Sequence, residues 1–311
     1  MSLVVVGSVA YDAVETPHGK VDRMLGGACT YIALSASYFT PSRIVGVIGD
    51  DFDPADKTFL ADRGIDLEGL EEVQGGKTFF WSGVYSKDMN DRETLVTDLN
   101  VFAEFNPKLP DNYKQQPYLM LGNILPALQR DVRSQMNGVR FVGGDTMNFW
   151  IQGQRDELLA TIREWDFLLI NDSEARLLSG EYNLRRAAEK IHDMGPHTLV
   201  IKRGEYGAIL FRRDPKLGDT HFMVPGYLLH QVFDPTGAGD CFAGGFVGYL
   251  AESGFDLATG HIDSKELRRA VICGSVMGSY CCERFGTERF RTLTRADIDA
   301  RFNEFREFTE F

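Results

Sequence analysis

Short apolar runs rich in β-branched residues recur at 3–6, 43–48, 118–121, 140–142, 167–170 and 198–201, and longer segments at 27–39, 52–63, 126–137, 150–164 and 183–193 carry helical periodicity. Few folds accept that alternation. It predicts βαβ units and a mostly parallel sheet covered by helices on both faces. Several runs end in glycine or a short polar side chain: Gly7, Gly49-Asp50, Asn123, Asp145 and Asn171-Asp172. Open α/β sheets hold ligands beyond the carboxyl ends of their strands, so a site is expected there. Two segments interrupt the alternation. Residues 12–25 surround a Pro-His-Gly turn, and residues 73–102 carry β-rich runs at 78–86 and 94–99 around Asp88-Met89-Asn90-Asp91. Both read as hairpins inserted into the core, forming a small sheet over the strand ends. No repeat, low-complexity tract or linker divides the chain, so 1–311 reads as a single domain.

Bulk properties exclude several function classes. The formal net charge of −12 argues against nucleic acid as a partner, because phosphate backbones are bound by basic faces. An anionic small molecule remains compatible, since a local site can be positive on an acidic protein. The five cysteines (29, 241, 273, 281 and 282) have no metal-ligand spacing and read as reduced cytosolic thiols. The N-terminal apolar run is too short for a signal peptide, and no stretch approaches the ~20 apolar residues of a membrane span. A soluble cytoplasmic protein is expected.

Two phosphate signatures fail on inspection. Gly76-Lys77-Thr78 has the ending of a Walker-A loop, but the glycine required five residues before Gly76 is Glu71. The strand-like FFWSGVY follows it, where a helix should start. In GAGDCF at 237–242, Phe242 occupies the third glycine position of G-x-G-x-x-G, which disfavours a dinucleotide site. Residues 234–245, DPTGAGDCFAGG, make sense differently. Phe242, Phe246, Tyr249 and Leu250 share one helical face, which puts Gly237-Ala238-Gly239 at a helix N-terminus. Unpaired N–H groups there attract an anion, and small side chains let it approach. The bland alternative is a tight turn with Asp240 complementing the helix dipole. Against it, a carboxylate beside an anion site repels the ligand, a cost that makes chemical sense if it takes a proton during phosphoryl transfer.

DPTGAGD closely resembles the late motif D-[ST]-x-G-A-G-D of the ribokinase-like (PfkB) carbohydrate and nucleoside kinases, with Pro235 as a variation. The resemblance runs almost the full chain and implies a three-layer α/β/α ribokinase-like fold with a small β lid. By resemblance, Asp240 is the general base, and Gly237, Ala238 and Gly239 supply N–H groups to the transferring phosphoryl group. Gly7-Ser8-Val9-Ala10-Tyr11-Asp12 resembles the first strand, ending in Asp12 as a ligand for sugar hydroxyls. Gly26 and Gly27 resemble the early di-glycine helix start beside the acceptor. Asn171-Asp172-Ser173-Glu174 resembles the N-x-x-E motif, in which Asn171 serves the nucleotide and Glu174 serves Mg²⁺ through water. Lys202, Gly204 and Gly207 resemble the loop bordering the nucleotide, together with Thr236. In some members a monovalent cation lies beside the positions of Gly286 and the 234–236 turn. The resemblance also leaves open a homodimer through the lid.

Two positions depart from the pattern: Tyr31 stands where an asparagine commonly touches the substrate, and Asn123 stands near an acidic substrate contact. Tyr31, with Tyr11, Phe79, Trp81 and Tyr85, could stack on a base or a sugar face, or simply pack the lid. Other candidates read as structural. Asp50-Asp51-Phe52-Asp53 caps the helix at 52–63, Asp145-Thr146-Met147-Asn148 ends a strand at the site edge as a helix cap or else a polar contact on the nucleotide side, and Cys281-Cys282 packs in a helix at 264–284. The expected activity is ATP-dependent phosphorylation of a primary hydroxyl of a small sugar. A ribonucleoside is the alternative acceptor. A non-catalytic sugar or nucleotide sensor is a third reading, which the intact Asp240 argues against.

Overall fold

The computed structural model describes residues 1–214, 218–255 and 262–310. The chain opens with β1 (Leu3–Val6), the lid strands β2 (Ala10–Thr16) and β3 (Gly19–Gly26), then α1 (Ala28–Ala36), β4 (Ser42–Gly49), α2 (Pro54–Asp62) and β5 (Ile65–Val73). The second lid pair follows, β6 (Phe79–Tyr85) and β7 (Arg92–Asp98). Next come α3 (Asp111–Lys114), β8 (Tyr118–Leu121), α4 (Pro126–Gln135), β9 (Phe141–Gly144), α5 (Asn148–Gly153) and α6 (Arg155–Ile162). Then follow β10 (Phe167–Asn171), α7 (Asp172–Ser179), α8 (Leu184–Met194), β11 (Thr198–Lys202), β12 (Ala208–Asp214) and β13 (Gly218–Val224). Three helices close the chain: α9 (Ala238–Ser253), α10 (Ser264–Cys281) and α11 (Arg295–Thr309).

Nine strands form the main sheet in the order β13-β12-β11-β10-β9-β8-β1-β4-β5. It is parallel from β5 to β11, and the β12–β13 hairpin adds an antiparallel edge. β1 shows why the inner strands read as unbroken apolar runs. Leu3 and Val5 enter a core shared with α1, α9 and α10, while Val4 and Val6 enter a second core shared with α4, α6 and α8. A strand buried on both faces has no polar side to alternate with.

The lid is a separate four-stranded sheet, ordered β3-β2-β6-β7. It occupies 10–26 and 79–98, so Val73 at the start of the expected 73–102 insertion still belongs to β5. The helical segment expected at 150–164 is two helices, broken at Gln154, whose backbone (φ −136°, ψ 38°) is not helical. β5, β12, β13, α7 and α11 are further elements. The edge strands β5 and β13 carry many polar, partly exposed residues, and no apolar run announces them.

Candidate active site

Strand ends, the lid and the start of α9 converge on one cleft. Gly237 is the N-cap residue of α9, with φ 75°, a left-handed conformation that favours glycine. A Cβ there would also stand 2.5 Å from the ring of Tyr31 on α1, so the turn can lie down on that ring only as glycine. Asp240 follows on the first turn of α9. Burial pushes its carboxyl upward, and the charges of Lys202 and Arg92 oppose that shift.

Three more acidic groups stand around it. Asp145, just past the end of β9, has a buried Oδ1 with no hydrogen-bond partner. Burial and the Asp240 charge hold its carboxyl well above the usual carboxylate range, with Lys202 acting the other way. Glu174 forms a capping box with Asn171. The Asn171 Oδ1 accepts from the Glu174 N–H at 2.8 Å, and the Glu174 Oε2 accepts from the Asn171 N–H at 2.8 Å. Burial raises Glu174 too, against Lys202 and Arg92. Asp12 on β2 lies against the Cα of Gly26, where any Cβ would collide with its carboxylate. Burial, then the charges of Asp234 and Asp240, push Asp12 up to about 8.

Asp234 is fully buried and ties two loops together. Its Oδ1 accepts from the Thr236 N–H and its Oδ2 from the Gly286 N–H, both at 2.9 Å. The Thr236 hydroxyl donates to Tyr85 Oη at 3.1 Å, so it reaches the lid. At the lid tip, Asn90 Nδ2 donates to Glu205 Oε1 at 3.2 Å, in the 3₁₀ turn Gly204–Tyr206 that ends at Gly207. The lid therefore touches the Asp234–Thr236 turn at one point and the expected nucleotide loop at another.

Asp12, Asp145, Glu174, Lys202 and Asp240 thus lie near enough to act on one another's charge, with Gly26 and Gly27 against Asp12 and Gly239 against Lys202. Tyr31 and Asn123 are placed differently from expectation. Tyr31 is 1% exposed, its ring sealed beneath Gly237, so no face is open for stacking. The physical reason is that the first turn of α1 lies directly beneath the glycine turn at Gly237. Asn123 has its amide engaged: Oδ1 accepts from Trp150 Nε1 at 2.8 Å, and Nδ2 meets Met147 Sδ at 3.1 Å. Asp145 caps no helix, because α5 starts at Asn148 with no side-chain cap. Asp53 does cap α2, accepting from the Ala55 N–H at 2.8 Å. Sequence reasoning also missed Arg92. Its register opposite Tyr85 brings it to the cleft, and no local motif carries that signal.

Among the described residues no three metal-ligating side chains form a cage. The orphaned Asp145 oxygen beside Glu174 suits a hydrated Mg²⁺, which takes one or two carboxylates and completes its shell with waters and phosphates. No helix among the described residues is long and apolar enough to cross a membrane.

Comparisons with known proteins agree with this fold. A cytidine kinase of Thermococcus kodakarensis is 28% identical over 256 residues, covering 79% of this chain and 87% of the relative. The structure of a Burkholderia thailandensis nucleoside kinase in complex with inosine superposes with a TM-score of 0.74 at 22% identity, covering 97% of this chain and 98% of that one. A putative E. coli ribokinase II in complex with ATP and Mg²⁺ gives a TM-score of 0.76 at 19% identity, covering 97% and 99%. The family model described as pfkB family carbohydrate kinase matches residues 1–293. The chain belongs to that family and is an ATP-dependent kinase of a sugar or a nucleoside.

Proposed function

We propose that the acceptor is a ribonucleoside, phosphorylated on its primary hydroxyl. The observation that carries this reading is Trp81. It pairs in register with Asp12 across β2 and β6, and neighbouring strands point paired side chains to the same face. Its indole lies across Gly83, where a Cβ would strike the ring, and it remains half-buried. A flat aromatic surface one strand away from a buried carboxylate suits a ligand with a planar base at one end and hydroxyls at the other. The Arg92 guanidinium stands 5.6 Å over the same ring, and a free sugar would use Asp12 and give the indole no planar partner. The cytidine kinase relative, matched over most of its length, supports the same choice.

The chain's own residues then divide the work. Asp12 accepts hydrogen bonds from ribose hydroxyls, and Gly26 and Gly27 let the acceptor approach the backbone. Asp240 takes the proton of the primary hydroxyl as its oxygen attacks. The N–H groups of Gly237, Ala238 and Gly239 receive the charge that spreads over the phosphoryl oxygens. Asn171, Gly204 and Gly207 border the nucleotide. Asp145 and Glu174 would hold Mg²⁺ with its waters, which neutralises phosphate charge when bound. Each Asp234 oxygen accepts one N–H and keeps a further lone pair, which leaves room for the family's monovalent cation beside that turn. The exposed outer edge of β7 supports a homodimer through the lid.

The test is kcat/KM with ATP and Mg²⁺ for cytidine, inosine and adenosine against free ribose and deoxyribose. A nucleoside is expected to exceed its free pentose by ~10–100-fold, the worth of one base-stacking contact. Free ribose used as well as every nucleoside would return the acceptor to the sugars.

A further inference from the structure

The Lys202 side chain leaves the last position of β11 and runs along the first turn of α9. A Cβ built on Gly239 would stand 3.0 Å from Lys202 Nζ, 3.8 Å from Cε and 4.0 Å from Cδ. The ammonium therefore sits beside the N–H fringe of α9. Its charge is felt by three carboxylates, Asp240, Asp145 and Glu174. Yet the Lys202 ammonium forms no ion pair or hydrogen bond with a described residue. A half-buried lysine among three acids would ordinarily collapse onto one of them. Here it stands apart from all three, over an open helix N-terminus, and Asp145 leaves a buried oxygen unpartnered in the same cluster.

That arrangement has a purpose in phosphoryl transfer. Helix N–H groups offer only partial positive charge, whereas the group in transit carries full negative charge on its equatorial oxygens. We propose that Lys202 is a catalytic residue whose ammonium grips the γ-phosphoryl group while it passes between ATP and the acceptor. In that step the acceptor O–H gives its proton to Asp240, the new O–P bond forms, and the bond from phosphorus to the ADP oxygen breaks. Lys202 stays protonated throughout and exchanges no proton. The proposal rests on the family's kinase activity and holds for a sugar or a nucleoside acceptor alike.

The test compares Lys202→Met, Lys202→Gln and Lys202→Arg. Three quantities are read: kcat on the best acceptor, ADP affinity with Mg²⁺ by calorimetry, and affinity for ADP with aluminium fluoride and acceptor, a mimic of the group in flight. The two uncharged variants should lose ~10²–10³-fold in kcat, the usual worth of one preorganised contact to developing charge. The fluoride complex should weaken by a similar factor while ADP affinity stays within ~3-fold, because ADP lacks the γ-phosphoryl group. Lys202→Arg should recover at least ~10-fold of the loss by restoring the charge. Equal weakening of ADP and of the fluoride complex would make Lys202 a nucleotide anchor and overturn the proposal, as would an unchanged kcat. If Lys202→Met fails to fold, Lys202→Gln keeps length and polarity and must show the same split. A wild type that phosphorylates ribose but no nucleoside would overturn the acceptor assignment alone, and the three quantities are then read with ribose.

Discussion

At the scale of residues, the cleft crowds carboxylates whose charge burial makes unfavourable, so protons and ligands both relieve it. Asp12 holds its proton up to about 8 because burial and two neighbouring carboxylates penalise the anion. A carboxyl whose folded pKa is raised contributes stability that is fully present below its unfolded pKa and lost as pH rises through the folded one. Asp12→Asn cannot ionise, so its advantage over wild type should grow as pH climbs through the window up to about 8 and then level off. Thermal unfolding of both proteins at pH values spanning that window checks this, with several degrees expected in favour of the variant at the alkaline end. A constant difference across the range would mean that Asp12 ionises freely. The same physics explains which residues could be read in advance. The 237–239 turn was legible because an anion cradle strips side chains from consecutive positions, and Asp240 because a carboxylate there is costly without a role. Asp145 and Arg92 were not, since what they face is set by strands far apart in sequence. Tyr31 was misplaced because position in a motif does not tell which side of a glycine turn a ring will occupy.

At the scale of elements, inner strands were legible and edges were not. β1, β8 and β10 are buried on both faces and cannot hide, whereas β5 mixes Asp66, Glu68, Glu71 and Glu72 into a strand that needs apolar residues on one side only. The lid hairpins were visible by their turns, but the parallel pairing of β2 with β6 joins segments separated by more than sixty intervening residues and fixes the face on which each aromatic lies. Tyr11 and Trp81 illustrate the point. Tyr11 points away from the cleft, accepting from the Asp53 N–H at 2.8 Å and donating to Asp56 at 3.1 Å, while Trp81 shares the face of Asp12. Trp81→Ala should therefore lower kcat/KM for a nucleoside by ~10–100-fold and leave the corresponding free pentose nearly unchanged. Tyr11→Phe is the matched control, since it removes a lid hydrogen bond outside the cleft. Equal losses on both acceptors in Trp81→Ala would reduce the indole to packing.

At the scale of the whole molecule, the lid is tied to the core at several points, through Tyr11, Arg23, Tyr85 and Asn90, and ends in the edge strand β7. Tyr85 meets Thr236 and Asn90 meets Glu205, so the sheet bridges the acceptor and nucleotide sides of the cleft. Its last strand, β7, pairs only with β6, and every residue of it is exposed. Leu95 (56% exposed), Val96 (37%) and the neighbouring Leu99 (44%) place apolar surface along that free edge. An unpaired edge strand with apolar side chains invites another strand, and soluble proteins usually guard such edges with charge, proline or a partner. Arg92, Glu93 and Asp98 lie toward the ends of β7, leaving its centre unguarded. A second copy of the chain, bringing its own lid, would cover both edges at once by a two-fold contact. Sedimentation at micromolar concentration should then give a dimer for wild type, and Leu95→Lys with Val96→Lys should give a folded monomer by placing repelling charges on the shared edge. Because the cleft face of the lid carries Trp81 and Tyr85 and not this edge, the monomer should keep most of its kinase activity. A wild type that sediments as a monomer across that range would remove the lid edge as an interface.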